Sequence, residues 1–512
     1  MGALRVLLGS GTTLDHEGRP AREGTHVSTS TRADAAVRDT ATLPEAATPV
    51  GVKRRRRHLV LADLAGTVGI AGLVAVSALW LHNGGIQGLA DRGGVATELG
   101  RLTGLLSAYL LLVQVLLMAR IPWLEQTWGQ DVLARRHRWV GFASFHLMLA
   151  HIVLITLGYA AAADSGIWRQ AWELITDYPG MLLATAGTVA LIMVVVTSVR
   201  AARRRMRYES WHLLHLYAYV GVGLAIPHQL WTGADFTSSQ TATVLWWAMW
   251  IAAAGSIVWW RVAMPLARSW RHRLVVESVV RERPDVVSIV IAGRHLDRLG
   301  VRAGQFMQWR FLTRHGATRA HPFTLSAAPS PTRLRITAKE LGDGTRALGA
   351  IPPGSRVLVE GPHGIMLAER REHRDVLLLA AGVGLTTMRG LAEEIAAEPA
   401  APGPRGTRPP SVVVLHRVHS RSDALFVDEF TTLARRTDVQ LRLLPGARAP
   451  QSGWWGGVVP VDPGTALATA VPDVADREIY LCGPPDWMRA VKNTLRELHI
   501  DQRHIHVEEF TW

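Results

Sequence analysis

Two apolar stretches of the 512-residue chain carry histidines, which a hydrocarbon environment rarely tolerates without a task. One stretch holds His137, His146 and His151; the other holds His212, His215 and His228. His137 and His151 stand 14 residues apart, and His215 and His228 stand 13 apart. Both intervals are close to four helical turns, so each pair lies on one face of its helix, roughly 20 Å apart along the axis. Two helices running in the same direction then set His137 opposite His215, and His151 opposite His228. Neutral imidazole is an iron ligand, and two imidazoles from facing helices at two depths suit two stacked b-type haems. Six-coordination of that kind favours electron transfer over oxygen binding at the iron. The alternative is a set of packing histidines at helix interfaces, and the matched quartet argues against it. His146 and His212 break the four-turn spacing and read as secondary or structural.

The elements that must position these residues are membrane spans. Hydrophobic residues make up 48% of the chain, far more than a soluble, arginine-rich enzyme needs. Helices of about 20 apolar residues cross a hydrocarbon layer of ~30 Å. Six such runs occur, near 59–82, 99–121, 137–161, 179–200, 211–231 and 241–264, with the histidines in the third and fifth. Basic residues gather on one side: Lys53 to Arg57, Arg120, Arg135, Arg136 and Arg138, the arginines of 200–207, and Arg261 to Arg273. The loops on the other side hold little beyond Arg92 and Arg169. The positive-inside rule makes the basic side cytoplasmic, in a cell (plasma) membrane, with both termini cytoplasmic and His137 and His215 at the inner level. The formal net charge of +14 therefore reads as membrane topology and not as nucleic-acid binding. A single cysteine, Cys482, excludes disulfide frameworks, Cys-rich zinc sites and Cys-ligated iron–sulfur clusters. Residues 1–57 lack apolar periodicity and read as a disordered cytoplasmic arm, with no cleavable signal peptide.

After Pro265 the pattern changes. Short β-rich runs at 273–280, 286–292, 304–311, 333–338 and 356–359, split by Gly and Pro, suggest a small antiparallel barrel. Beyond residue 371 apolar strands alternate with helices, as in an α/β parallel-sheet domain. The strand Val376–Ala381 runs into Gly382-Val383-Gly384-Leu385-Thr386-Thr387, a turn whose backbone N–H groups can face a pyrophosphate at a helix N-terminus. The expected organisation is an arm over 1–57, a six-span haem domain over 58–265, an antiparallel barrel over 270–370 and a nucleotide domain over 371–512.

Several segments carry a family resemblance. The histidine spacing, with Gly223-Leu224-Ala225-Ile226-Pro227-His228, resembles the ferric reductase and NADPH oxidase superfamily. His321-Pro322-Phe323-Thr324-Leu325-Ser326 looks like the flavin motif of the ferredoxin–NADP reductase superfamily, in the form carried by that same branch. Lys339-Glu340-Leu341-Gly342-Asp343-Gly344-Thr345 resembles the segment that approaches the FAD pyrophosphate. Gly382 to Thr387 resembles a GxGxTP turn with Thr387 in place of Pro, and Cys482-Gly483-Pro484-Pro485-Asp486-Trp487-Met488 is similar to the CGPPxMM signature. The resemblance covers roughly residues 59–512.

It implies FAD, two b-type haems, and NADPH (or NADH) as electron donor. Phe323 would lie flat against the flavin ring and Thr324 would bond near its N5, with His321, Pro322 and Ser326 beside them. Lys339, Gly344 and Thr345 would meet FAD phosphate, Thr345 also capping the helix that follows. Gly382, Gly384, Thr386, Gly483 and Pro484 would hold the nicotinamide nucleotide, and Cys482 would lie at the nicotinamide C4. Arg417 and Arg421, after the strand Val412–Leu415, would meet a 2′-phosphate. A terminal aromatic would cover the flavin, Phe510 best matching that place and Trp512 being the alternative. The implied activity carries electrons from NAD(P)H to an external acceptor, ferric or other metal chelates foremost, with superoxide production from oxygen as the rival. A haem-free transporter or sensor with a fused nucleotide-binding domain is the rival from another class. The sequence leaves protein partners unknown.

Overall fold

The computed structural model describes residues 50–199, 203, 205–206, 208–313, 319–401, 408–447, 453–457 and 461–508. The first part is helical: α1 (Val50–His82), α2 (Gly94–Leu117), α3 (Pro122–Trp128), α4 (Gln130–Ala163), α5 (Ile167–Asp177), α6 (Met181–Ser198), α7 (Tyr208–Trp231) and α8 (Gln240–Ile257). A π-turn over Val258–Ala263 carries α8 on into α9 (Met264–His272). Among the described residues, five helices are long and apolar enough to cross a membrane: Val60–His82, α2, α4, α6 and Gln240–His272. The fifth expected span is helical as α7 but is not among the five. Its three histidines dilute its apolarity, so the chemistry-bearing residues are the ones that weaken the span signal. The basic run Lys53–Arg57, expected in the arm, lies inside α1. The rest of the arm, 1–49, falls outside the described residues.

Side chains such as Val68, Val74, Val189, Val196, Val220 and Ile251 are exposed on the outside of the helices, as a lipid-facing surface requires. Inside, Trp80, Leu105, Tyr109, Leu112, Leu191, Trp246 and Trp250 share one core. Helices α2 and α4 close on small polar residues. The Ser107 hydroxyl donates to the Ser144 carbonyl at 2.8 Å, and the Ser144 hydroxyl donates back to the Ser107 carbonyl at 2.9 Å.

Eleven strands follow among the described residues: β1 (Val275–Arg283), β2 (Val286–Ala292), β3 (Phe306–Phe311), β4 (His321–Thr324), β5 (Arg333–Lys339), β6 (Val357–His363), β7 (Val376–Ala381), β8 (Val412–Val418), β9 (Val439–Pro445), β10 (Glu478–Cys482) and β11 (Ile505–Val507). The first six form two antiparallel three-stranded sheets, β1-β2-β5 and β4-β3-β6. Isolated bridges Val275↔Arg356 and Leu325↔Ile336 join the two sheets at both edges. Ile289, Ile291, Met307, Trp309, Leu325 and Ile336 fill the space between them. The HPFT segment, expected between strands, is itself the strand β4. The last five strands form a parallel sheet in the order β11-β10-β7-β8-β9. β7 is buried along its whole length, because helices cover both faces: α10 (Leu385–Ala396) on one and α11 (Pro485–Glu497) on the other.

The sheets meet the bundle at the end that carries His137. His363, at the end of β6, bonds through Nδ1 to Glu125 of α3 at 2.9 Å, and the other Glu125 oxygen accepts from Arg120 at 2.9 Å. Arg370 donates to the Gln126 carbonyl, Arg268 to the Gly361 carbonyl, and the Val359 N–H to the Ser269 hydroxyl.

Candidate functional site

The four spaced histidines meet as two pairs. The rings of His137 and His215 have centroids 6.1 Å apart with planes at 63°; those of His151 and His228 are 6.2 Å apart at 47°. Metal–imidazole bonds of about 2 Å on either side of one metal atom place ring centroids roughly 6 Å apart, so both gaps accept one metal. In all four rings Nδ1 is engaged elsewhere. His137 Nδ1 lies 3.1 Å from the Gln114 carbonyl and His151 Nδ1 lies 2.8 Å from that of Gly100. His215 Nδ1 lies 3.2 Å from the Ser198 hydroxyl, and His228 Nδ1 lies 2.7 Å from that of Thr232. A carbonyl partner requires the proton on Nδ1 and leaves Nε2 as the lone-pair donor, the arrangement of a metal-bound imidazole. Gly104 permits the fit, since a Cβ there would stand 2.5 Å from His151 Nδ1. His146 joins no pair: it is exposed and its Nδ1 bonds the Phe142 carbonyl of its own helix. His212 packs beside Trp211.

Near His151 stands an ionic cluster that sequence reasoning passed over. Arg101 of α2 bridges the buried carboxylates of Glu98 at 2.8 Å and Asp235 at 2.6 Å, and Asn83 donates to Asp235 at 3.0 Å. The signal available was Glu98 with Arg101, two charges at helical spacing inside an apolar run.

At the C-terminal ends of β7, β8 and β10 a cavity of about 530 Å³ opens, lined among others by Lys339, Gly382, Arg417, Asp423, Pro484 and Trp487. This is the place where open parallel sheets bind ligands. Gly382 adopts φ +54°. A Cβ on Gly384 would meet the Cys482 carbonyl oxygen at 2.3 Å, so only glycine lets the turn approach β10. Gly483 is similarly confined by Trp487 and Ala381. Thr386 is buried in the first turn of α10. His416, unassigned from sequence, is fully buried with Nε2 3.1 Å from the Gly382 carbonyl, and burial pushes its pKa down to about 4. It is therefore a neutral donor that pins the turn. Cys482 is buried, and desolvation, with Glu508 adding to it, pushes its thiol up to about 12. It stays a neutral thiol that can pack and position but not attack.

Two arginine assignments separate. β8 runs on to Val418, three residues beyond the expected strand, so Arg417 lies within the sheet and is buried. Its guanidinium donates to the Leu444 carbonyl at 3.0 Å and the Gly446 carbonyl at 2.6 Å. That holds the ends of β8 and β9 together at the edge of the cavity. Arg421 is exposed beyond the strand.

In the antiparallel sheets, His321 and Phe323 stand on the same face of β4, their rings parallel within 7° and 6.0 Å apart. Burial, with Arg319 nearby, lowers the His321 pKa. The Thr324 hydroxyl is buried without a protein partner, a polar atom suited to a flavin ring nitrogen. Ser326 accepts from the Thr337 hydroxyl at 2.8 Å and from Arg335 at 3.2 Å, so it braces β5. Pro322 follows His321 in the strand. Lys339 lies 3.4 Å from Asp285 at the cavity edge. Gly344 has its nearest neighbours in His321 and Arg319, at 3.5 and 3.6 Å from a Cβ placed there. Thr345 does not cap a following helix: it lies inside the short helix Asp343–Arg346, where its hydroxyl accepts the N–H groups of Leu341 and Gly342. Phe510 and Trp512 fall outside the described residues.

Glu508 is the site residue that sequence reasoning missed. It is buried, one carboxylate oxygen has no partner, and a Cβ on Gly364 would meet the other at 2.6 Å. Burial first, then Asp131 and Glu125, pushes its pKa up to about 8. Glu125 behaves oppositely: burial alone would raise it, but His363 and Arg120 hold it below the usual carboxylate range.

Residues 103–226 match the family described as "Ferric reductase like transmembrane component", and residues 378–493 match "Oxidoreductase NAD-binding domain". The ferredoxin reductase component of 3-ketosteroid-9-alpha-monooxygenase from Mycolicibacterium smegmatis is 28% identical over 246 residues, which are 46% of this chain and 65% of that protein. The glycine betaine monooxygenase reductase subunit of Chromohalobacter salexigens is 28% identical over 248 residues, 47% of this chain and 64% of that one. The chain thus spans about 65% of the length of these curated relatives. Among solved structures, the flavohem-like FAD/NAD binding domain of nitric oxide dioxygenase from Vibrio cholerae aligns at 22% identity and TM-score 0.36, covering 47% of this chain and 99% of that one. The cytochrome b5 reductase domain of Ulva prolifera nitrate reductase aligns at 18% and 0.38, covering 47% and 98%. One chain thus joins a region matching a ferric reductase-like transmembrane component to a region matching an oxidoreductase NAD-binding domain.

Proposed function

We propose that this chain is a transmembrane oxidoreductase that takes reducing equivalents from NAD(P)H on the cytoplasmic side and delivers them to an external acceptor, ferric or other metal chelates foremost. The observation that carries this reading is the pairing of four histidines, each engaged at Nδ1, at two levels of the bundle. His137 with His215, and His151 with His228, would hold two b-type haems, which supply single-electron transfer through a layer that excludes ions. β4 and the Lys339–Thr345 segment would hold FAD, whose chemistry would link two-electron hydride uptake to single-electron release.

The protein's own work is positioning. The Gly382–Gly384 turn and the α10 N-terminus offer N–H groups to the nucleotide pyrophosphate, with Pro484 and Gly483 shaping the opposite wall. Cys482 would help to hold the nicotinamide and Thr324 the flavin ring, and a terminal aromatic, Phe510 by its place in the sequence, would cover that ring. Arg421 prefers a 2′-phosphate, hence NADPH. In this reading α7 counts as a sixth span, the domains run over 58–265, 270–370 and 371–512, and the two antiparallel sheets act as one barrel. Both termini are cytoplasmic, in the plasma membrane, because the basic loops and the nucleotide sheet lie at the same end.

Membrane vesicles from cells supplied with haem test it. NADPH under anoxia should produce reduced b-type bands and consume an impermeant Fe(III) chelate on the far side. Absent b-type bands would overturn the haem reading. Superoxide formation in air without Fe(III) loss would replace the metal acceptor by oxygen. The relatives are monooxygenase reductase components, which favours a partner oxygenase as a second class of acceptor; inert chelates and no superoxide from a haem-replete protein would select it.

A further inference from the structure

We propose that His373, Glu478 and His504 form a binding site for a divalent transition-metal ion of the zinc class, and that this ion secures the edge strand leading to the C-terminal tail. The three side chains converge at the start of β10, at the opposite end of the parallel sheet from the Gly382 turn. One ligand atom from each lies within 4.8 Å of the others. His504 Nδ1 is 3.3 Å and His373 Nδ1 is 3.9 Å from the same oxygen of Glu478. A tetrahedral zinc with bonds of about 2.0–2.2 Å separates its ligand atoms by roughly 3.3–3.6 Å, so small side-chain adjustments bring these atoms onto one ion.

The surroundings favour a cation. Glu478 is fully buried, and each of its carboxylate oxygens is held in place. His506 Nε2 holds the second carboxylate oxygen at 2.6 Å, and the N–H groups of Glu372 and His373 orient the first. That is the supporting shell a ligating carboxylate needs. The rings of His373 and His504 stack at 4.1 Å, so both turn toward the same carboxylate. Hydrogen bonding alone satisfies Glu478 but leaves His373 Nδ1 buried without a partner. An ion supplies that partner and replaces the proton that His504 Nδ1 must carry to bond a carboxylate. Two imidazoles and one carboxylate suit Zn²⁺, Co²⁺ or Fe²⁺ over Mg²⁺ or Ca²⁺. The His373 side chain is 32% exposed, which leaves a route for entry and a water to complete the set.

The position gives the ion a consequence. His504 immediately precedes β11, a three-residue strand that among the described residues pairs with β10 alone, through Ile479↔Ile505, Tyr480↔His506 and Leu481↔Val507. The next residue is Glu508, whose buried carboxyl acts on Cys482. Joining His504 to His373 and Glu478 ties that edge strand to the sheet from its first residue.

The test uses the full-length protein in detergent, free of any affinity tag, stripped with a chelator and reloaded with Zn²⁺ or Co²⁺. Elemental analysis reads zinc separately from iron, so the result does not depend on the haem reading. About one equivalent of zinc should bind, raise the melting temperature, and be matched by a tetrahedral Co²⁺ absorption spectrum. His373→Ala should weaken zinc binding at least about tenfold while leaving the melting temperature of the stripped protein unchanged. His504→Gln, which keeps a donor toward Glu478, should do the same and serves if the first variant misfolds. Wild-type protein that binds no stoichiometric zinc, or variants that bind it as tightly, would overturn the site.

Discussion

In the bundle, four histidines are each gripped at Nδ1 by a carbonyl or hydroxyl of the protein, so the reactive atom is a side chain aimed by a second side chain or by backbone. At the nucleotide end of the parallel sheet the backbone does the aiming. A left-handed Gly382, a Gly384 pressed against the Cys482 carbonyl, and a neutral His416 holding the Gly382 carbonyl shape the turn. The difference follows from solvent. In lipid a polar side chain is costly and must be fixed by partners. In a water-filled cleft, unbonded N–H groups at a helix end are free to serve a phosphate.

The largest effect should come from removing one gripped ligand. His151→Ala is expected to halve the haem measured as pyridine haemochrome and to stop reduction of an external acceptor, while NADPH still bleaches the flavin. Retention of both haems would falsify the ligand assignment. Gly104→Ala probes the same contact from the other side, since its Cβ would displace the His151 ring. It should shift or broaden the spectrum of that haem while its partner is unaffected.

Glu508 offers the contrasting test in the soluble part. Its folded pKa of about 8 lies above the ordinary carboxyl value of about 4.3, so its contribution to stability is full below about pH 4.3 and lost as pH rises through about 8. Between about pH 6 and 9 the wild-type melting temperature should fall, by roughly 2–4 °C for each kcal/mol of penalty in a domain of this size. Glu508→Gln should flatten that slope. An unchanged slope, read by calorimetry or flavin release, would mean the carboxyl is not buried as described.

Thr324→Val keeps shape and deletes the one hydroxyl of β4 that has no protein partner. FAD should remain bound, and flavin reduction by NADPH under stopped flow should slow by up to about tenfold, the size of one hydrogen bond. A rate equal to wild type would remove Thr324 from the site.

The same contrast explains what the sequence made legible. Histidines are rare in apolar runs, so type and spacing alone paired His137 with His215 and His151 with His228. Strand β7 and the Gly382 turn were legible because an unbroken apolar run and two glycines have few other uses. The burial of Arg417 was not legible because strand length depends on the neighbouring chain: β8 runs on to Val418, and the carbonyls of Leu444 in β9 and of Gly446 just beyond it accept from the guanidinium. Glu508 was invisible because a carboxylate near a terminus carries no local mark of burial; Gly364, Glu125 and Asp131, all far away in sequence, come close to it. The Thr345 capping role reversed because the helix starts before that residue and not after it.

The smallest expected effect separates the two arginines. Arg421 is exposed and outside the strand, so Arg421→Ala should raise the KM for NADPH about five- to tenfold, the loss of one charged hydrogen bond, with NADH kinetics unchanged. Arg417→Ala removes a buried guanidinium and leaves the Leu444 and Gly446 carbonyls without their donor. It should lower the melting temperature and affect NADPH and NADH alike. If Arg417→Ala instead discriminated between the two nucleotides at unchanged stability, its guanidinium must turn from the carbonyls to the phosphate when nucleotide binds. Side-chain aiming, the bundle's device, would then operate at the sheet as well.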